Sequence, residues 1–205
     1  LINADGDLGH HLVIGRLILS SGEIPTTDPF SFRTEGIPAI PHEWLTEVLF
    51  AGLDSWLGLN GIVVLAGIMI ALTFSLTLHE SMKRSQMALV ALAITCLAAV
   101  ASSIHWITRP HLLTFLLLGL WVYNLESLWR GEHRRWWLFP ILMLVWANLH
   151  GMFVLGLAAW GIYISGYLAT RFIGERTSLR QGLGHDLALA GLLSIPVTFL
   201  TPSGW

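Results

Sequence analysis

The chain of 205 residues has few charged side chains and a single cysteine. Charged residues make up only 12% of it, whereas soluble domains contain about 25%. Cys96 has no partner for an internal disulfide, so it indicates nothing about the redox compartment. Because the net charge is −2, the composition offers no basic surface for nucleic acid. Hydrophobic residues make up 54% of the chain, which indicates a membrane protein.

Long uncharged runs within residues 60–205 predict an all-α, polytopic transmembrane helix bundle of about six spans. A run of about 18 or more apolar residues is typical of a transmembrane helix. The longest run is about twice that length, so we expect it to fold back once, at residues 148–151. The runs lie at 61–78, 87–104, 112–125, 136–170 and 187–200.

Residues 1–59 are more polar and predict a long extracytoplasmic loop that carries short amphipathic helices. This segment holds eight of the thirteen acidic residues and four of the eight prolines. Its apolar patterns predict interfacial helices at 12–19 and 44–57. The chain begins at Leu1 and ends within an apolar pattern, so we expect a fragment whose first and later spans lie outside it.

The distribution of basic residues predicts which side of the membrane each loop faces. Cytoplasmic loops of membrane proteins are enriched in Lys and Arg. With residues 1–59 outside, eight basic residues fall on the inner side and three on the outer side, so we expect a multi-pass protein of the cell inner (plasma) membrane. The inner residues are Lys83, Arg84, Arg130, Arg134, Arg135, Arg171, Arg176 and Arg180, and the outer ones are Arg16, Arg33 and Arg109.

Titratable side chains gather on the predicted outer side, at or between the ends of the apolar runs. A protein that is only anchored has no use for such a cluster, whereas one that acts on a charged group at the membrane surface does. The cluster comprises His10, His11, His42, His105, His111 and His150, with Asp5, Asp7, Glu43, Arg109 and Asn148.

Three motifs of this cluster each allow a functional and a structural interpretation. Asp7 either serves as a general base or metal ligand, or caps a short helix. Arg109 either binds phosphate oxygens through its planar fork or extends its charge to the membrane interface. The polar pair Asn148 and His150 either forms part of an intramembrane site or makes an interhelical hydrogen bond.

A fourth motif lies at the start of the predicted 44–57 helix. His42 and Glu43 precede this helix, and Glu47 follows one turn after Glu43. The acidic side chains either belong to a site or are stabilised by the helix dipole. The chain has no HExxH motif, which excludes the zinc-protease interpretation.

Together these residues resemble one family, the bacterial GT-C class glycosyltransferases, which are multi-spanning enzymes that use polyprenyl-phosphate sugars. The resemblance covers most of the chain. The motifs that carry it are Asp5-Gly6-Asp7…His11…Gly15, Ser21-Gly22-Glu23-Ile24-Pro25…Asp28-Pro29-Phe30-Ser31-Phe32, His42-Glu43-Trp44-Leu45, Arg109-Pro110-His111 and Trp146-Ala147-Asn148-Leu149-His150-Gly151.

The resemblance implies transfer of a sugar from a polyprenyl-phosphate donor to an acceptor at the extracytoplasmic face. It implies that Asp7, with Asp5 second, is the catalytic acidic residue, and that Arg109 binds the lipid phosphate. A divalent cation, Mg or Mn, is a candidate cofactor, with Asp7 and His11 as its candidate ligands. The implied substrate-binding residues are His11, His42, Glu43, His111, Asn148 and His150.

The expected partners are a polyprenyl-phosphate-linked sugar, membrane lipid and other membrane proteins, and two further classes of function stay open. The first is a non-catalytic GT-C-like subunit of a larger complex, in which the polar residues serve helix packing. The second is a carrier of lipid-linked substrates. Carriers usually place ionisable groups near the bilayer midplane, whereas this chain gathers them at one face.

Overall fold

The computed structural model describes residues 6–28, 30, 33, 36–173 and 180–204. The described residues confirm the all-α prediction, because they form helices and only one isolated antiparallel bridge, between Thr27 and Pro38. The helices are α1 (Asp7–Ser21), α2 (Trp44–Leu57), α3 (Leu59–Ser85), α4 (Ala88–Ser102), α5 (His111–Arg130), α6 (Leu138–Leu149), α7 (Val154–Ile173) and α8 (Leu183–Val197).

Four helical segments of the described chain are long and apolar enough to cross a membrane. They are Leu59–Ser85, Ala88–His105, His111–Arg130 and Gly151–Ile173. Helices α6 and α8 are also apolar but have only 12 and 15 residues. They span about 18 and 22 Å, less than the roughly 30 Å of the hydrocarbon core. Crossing by α6 and α8, and hence the count of six spans, stays a prediction.

The helix bounds match the sequence patterns in some places and not in others. Helix α2 occupies residues 44–57, as predicted, and α6 ends at Leu149, inside the predicted fold-back. Helix α5 is longer than the uncharged run at 112–125 that it contains, because it continues to Arg130. The last turns of α5 are polar, and Arg130 pairs there with Glu80 of α3 at 2.9 Å. The polar residues at the end of α5 therefore continue the helix, because their side chains can pair with a neighbouring helix.

One end of the bundle is held by ion pairs, and we call it the arginine end. It contains Lys83, Arg84, Arg130, Arg134 and Arg180. Asp186, at the start of α8, is fully buried there and accepts hydrogen bonds from Arg134 at 3.0 Å and from Arg180 at 2.6 Å. Asp186 thereby ties the start of α8 to the segments that precede α6 and α8.

An aromatic cluster in the core joins α5 to α6. Trp121 of α5 packs edge-on against Phe139 and Trp146 of α6, with ring centroids 4.8 and 6.4 Å apart, and all three side chains are fully buried. Such pairs contribute about 0.5–1.5 kcal/mol beyond the burial of their area. The cluster holds the middle of α5 against α6, from Phe139 in the first turn of α6 to Trp146 near its end.

Helices α1 and α2 approach each other closely at Gly15. A Cβ atom added to Gly15 would collide with the backbone carbonyl of Glu47 and with the side chain of Ala51. Glycine is therefore the residue that permits this crossing. One turn earlier on α1, the same approach places His11 within 3.2 Å of the Glu47 carboxylate.

We expect Gly15→Ala to destabilise the protein by about 1–3 kcal/mol, because the methyl group must push α1 away from α2. Gly9→Ala is the matched control, since nothing lies within 4 Å of a Cβ at Gly9 in the same helix. Alanine has a higher helix propensity than glycine, so the Gly9→Ala control is expected to gain up to about 1 kcal/mol of stability. Thermal unfolding of both variants in lipid nanodiscs measures the difference. Melting temperatures that are equal to or above that of the unaltered protein in both variants would contradict the close approach of α1 and α2 at Gly15.

Candidate functional site

The sequence-predicted residues that the structure describes lie at the end of the bundle opposite the arginine end, which we call the histidine end. A cavity of about 440 Å³ opens there between α1, the segment before α2 and the α6–α7 junction. Ligand pockets typically measure about 300–1,000 Å³. The cavity is lined by His10, His11, Ile14, Ile40, Pro41, His42, Glu43, Glu47, His150, Gly151 and Met152.

Asp7 and Arg109 form an ion pair beside this cavity. The Arg109 guanidinium lies 2.9 Å from the Asp7 carboxylate, and the two side chains are 39% and 60% exposed. Asp7 begins α1, whereas Arg109 lies two residues before α5, so the pair joins segments about a hundred residues apart in sequence. The structure therefore brings together the two residues that the sequence assigns to catalysis and to phosphate binding.

Glu43 lies between two histidines in the cavity wall. His150 Nε2 is 3.1 Å from one Glu43 oxygen, and His11 Nε2 is 3.7 Å from the other. Burial raises the pKa of the Glu43 carboxyl above its ordinary value; the charge of His11 opposes this shift, and that of Glu47 adds to it. A half-buried carboxyl with a raised pKa can accept a proton and later release it.

Glu47 is a site residue that the sequence assignment missed. Its side chain is only 4% exposed, and its Oε1 atom lies 3.2 Å from His11 Nδ1. Its Oε2 atom is buried and has no hydrogen-bond partner among the described residues. The signal in the sequence is the spacing of four from Glu43, which places the two carboxylates one turn apart at the start of α2.

His150 is held by hydrogen bonds that fix which ring nitrogen carries the proton. The backbone N–H of Met152 donates to His150 Nδ1 at 3.3 Å, and the Thr114 hydroxyl lies 2.9 Å from the same atom. Since Nδ1 accepts, the neutral ring carries its proton on Nε2 and donates to Glu43. Burial, with smaller contributions from the charges of His111 and His11, lowers the pKa of His150 to about 4.

Asn148 hydrogen-bonds to the segments that pack around it. Its side chain does not line the cavity, although the sequence predicts that it contributes to the substrate pocket. Its amide oxygen accepts from the Trp44 indole at 2.8 Å, and its amide nitrogen donates to the carbonyls of Leu144 and Leu200. The side chain is buried and does not line the cavity. The interhelical hydrogen bond, which was the structural interpretation of this residue, describes its contacts.

His42 and His111 occupy different positions relative to the cavity. His42 lines it, and its Nδ1 atom lies 3.3 Å from the Ser203 hydroxyl beyond α8. His111 begins α5 and does not line the cavity, and its Nε2 atom lies 2.7 Å from the His105 carbonyl. His111 therefore affects the site through its charge, by lowering the pKa of His150.

The described donor atoms do not fit the divalent cation that the resemblance implies. The described residues contain no group of three His, Cys, Asp or Glu side chains placed to hold a metal ion. The two candidate ligands each have a protein partner, since Asp7 pairs with Arg109 and His11 with Glu47. Asp5, the second catalytic candidate, lies outside the described residues.

We expect the His150 ring to stay neutral, with its proton on Nε2, until the pH falls to about 4. NMR of ¹⁵N-labelled histidine in nanodiscs measures this, with His150→Asn to assign the signal. The unfolded chain binds this proton at higher pH, so the contribution to stability is present above pH 6.5 and is lost as the pH falls towards 4. A midpoint near 6.5, or a proton on Nδ1, would show that the ring is not held in this way.

No protein-family model, no curated protein and no solved structure matches this chain. The function of this chain must therefore be inferred from its own residues and contacts.

Proposed function

We propose that this protein is a membrane glycosyltransferase of GT-C type, which moves a sugar from a polyprenyl-phosphate donor to an acceptor at the extracytoplasmic face. The observation that carries the proposal is the Asp7–Arg109 ion pair beside a cavity lined by Glu43 and several histidines. A phosphate-binding cation and a proton acceptor are the two groups that such a transfer requires.

Arg109 is placed to bind the donor phosphate. It lies two residues before α5, which is a candidate membrane span, so it lies near the depth at which lipid headgroups meet the hydrocarbon. One nitrogen of its guanidinium already contacts an Asp7 carboxylate oxygen, and the planar guanidinium fork can bind phosphate oxygens bidentately. The guanidinium is partly exposed, so a lipid phosphate can approach it from the membrane surface.

The neighbouring space can take the sugar and the acceptor. A second cavity of about 260 Å³ adjoins the first and shares His10, Ile14, Ile40 and Pro41 with it. Asp28 and Phe30 line the outer part of this second cavity. Carboxylates and imidazoles can hydrogen-bond sugar hydroxyls, and apolar and aromatic walls cover the faces of a sugar ring.

The transfer needs no nucleotide-binding fold, because the lipid phosphate is the leaving group. The acceptor oxygen or nitrogen forms a bond to sugar C1, and the bond between C1 and the phosphate oxygen breaks. The electron pair of the broken bond leaves on the lipid phosphate, where the Arg109 charge stabilises it. The acceptor's proton passes to a carboxylate of the site.

We expect the purified protein in nanodiscs to transfer sugar from a polyprenyl-phosphate donor, and Arg109→Lys to lower kcat/KM for the donor about 10- to 100-fold. A lysine keeps the charge but loses the bidentate hydrogen bonds, and a hydrogen bond to a charged group contributes about 1.5–3 kcal/mol. Mass spectrometry of the products measures transfer. Arg16→Lys is the matched control, since Arg16 pairs with Asp54 and does not line the cavity.

Absence of transfer from every polyprenyl-phosphate sugar tested would contradict the proposal and favour the non-catalytic subunit. Equal loss of activity in Arg16→Lys and Arg109→Lys would show that the effect of Arg109 is not local. Transfer with an unchanged donor KM in Arg109→Lys would keep the enzyme but remove Arg109 from phosphate binding.

A further inference from the structure

We propose that Glu43 accepts the acceptor's proton and that Thr114 and Trp146 are positioning residues, which act on Glu43 through His150. This inference rests on the proposed sugar transfer and assigns its proton acceptor. The sequence resemblance favours Asp7 for this role. Thr114 belongs to none of its motifs, and Trp146 begins the motif of residues 146–151 but has no role that the resemblance implies.

Glu43 and Asp7 differ in ways that decide between them. Glu43 lines the cavity, its side chain is 24% exposed, and two imidazoles face it. Asp7 is 60% exposed, does not line the cavity and pairs with Arg109. A proton acceptor must lie within hydrogen-bond reach of the acceptor group, and Glu43, which lines the cavity, can be reached by an acceptor bound there. Asp7 instead orients the guanidinium that binds phosphate.

The hydrogen bonds behind Glu43 have a fixed direction. The Trp146 indole N–H can only donate, and it lies 3.0 Å from the Thr114 hydroxyl oxygen. The Thr114 hydroxyl then has its own hydrogen to donate to His150 Nδ1, at 2.9 Å. With Nδ1 occupied, the His150 N–H on Nε2 points at Glu43, at 3.1 Å. The chain runs from Trp146 through Thr114 and His150 to Glu43.

Burial makes this chain of hydrogen bonds stiff. Trp146 is fully buried and Thr114 is 4% exposed, both at the histidine end of the α5–α6 contact. Leaving a buried hydroxyl or indole N–H without a hydrogen-bond partner there would cost about 1–3 kcal/mol of stability, so each group keeps its hydrogen bond. Neither side chain lines the cavity, and each acts on the reaction only by orienting the His150 ring.

Charged and titratable groups from several segments face Glu43. Asp7 and His11 come from α1 and Glu47 from α2, and all three affect the pKa of Glu43, as does Arg109 before α5. His150 faces it from the α6–α7 junction. The His150 N–H stabilises the charged form of Glu43, since a hydrogen bond to a carboxylate favours ionisation. Loss of this donor therefore raises the pH at which Glu43 becomes a base.

The proposed step is balanced in protons and electrons. The acceptor hydroxyl or amine gives its proton to a Glu43 oxygen while its oxygen or nitrogen bonds to sugar C1. The bond between C1 and the phosphate oxygen breaks with its electron pair, which stays on the lipid phosphate. Glu43 returns to the ionised form by releasing the proton to water through the open cavity.

The test compares isosteric variants in sugar transfer as a function of pH. Glu43→Gln is expected to lower kcat about 10²- to 10⁴-fold, the usual contribution of a general base. Asp7→Asn is expected mainly to raise the donor KM, because it loosens Arg109. A reversed result, with Glu43→Gln active and Asp7→Asn inactive in kcat, would overturn the assignment.

Thr114→Val removes the hydroxyl without changing the side-chain shape, and we expect kcat to fall about tenfold. The acidic limb of its kcat/KM profile should move to higher pH, and Thr114→Ser should restore it. Thr95→Val is the matched control, because Thr95 is buried in α4 and its hydroxyl bonds only within that helix. Trp146→Phe, which keeps an aromatic ring, replaces Thr114→Val if the latter does not fold.

A measurement independent of activity separates this inference from the proposed function. Histidine NMR and carboxyl infrared titration should show, in Thr114→Val, a weaker preference for the His150 tautomer protonated on Nε2, since only the longer bond from Met152 N–H then remains on Nδ1, and a higher titration midpoint for Glu43. An inactive wild type with these changes would overturn the sugar transfer and leave the chain of hydrogen bonds supported. An active wild type whose Thr114→Val variant matches Thr95→Val in both tests would overturn the inference alone.

Discussion

The hydrogen bond from His150 to Glu43 joins the two parts of the molecule on which the site depends. Glu43 belongs to the polar amino-terminal segment, whereas His150 lies between two apolar helices of the bundle. A half-buried carboxyl keeps its charge only where donors compensate for lost water. Together with the hydrogen bonds from Trp44 to Asn148 and from Thr46 to the Leu149 carbonyl, this bond joins the start of α2 to the end of α6, and the cavity forms where these parts meet.

Charged side chains are buried and paired in different ways at the two ends of the bundle, and this difference indicates where chemistry takes place. At the arginine end, Asp186 is fully buried between Arg134 and Arg180, in a geometry typical of a structural clamp. At the histidine end, Glu43 and His150 are half-buried around open space, and burial shifts their pKa values towards the neutral forms. Groups with shifted pKa values beside a cavity are typical of sites, although structural networks shift them too.

The sequence predicted the elements of this arrangement better than their contacts. Uncharged runs and their breaks predict the helices and the break after Leu149, because both follow from local composition. Asn148 could not be assigned, since its partners Trp44 and Leu200 lie 104 and 52 positions away in the chain. The same holds for Thr114, whose bond to His150 depends on the packing of α5 against α6.

The most direct test of the account is a structure of the protein in lipid nanodiscs with a polyprenyl-phosphate sugar bound. We expect the donor phosphate to lie within hydrogen-bond distance of Arg109. The sugar should lie in the cavity, with its C1 atom accessible to an acceptor beside Glu43. Donor bound elsewhere, for example in the groove beside Trp129 and Tyr163 on the α5–α7 side, with the cavity at the histidine end holding none of it, would contradict the account.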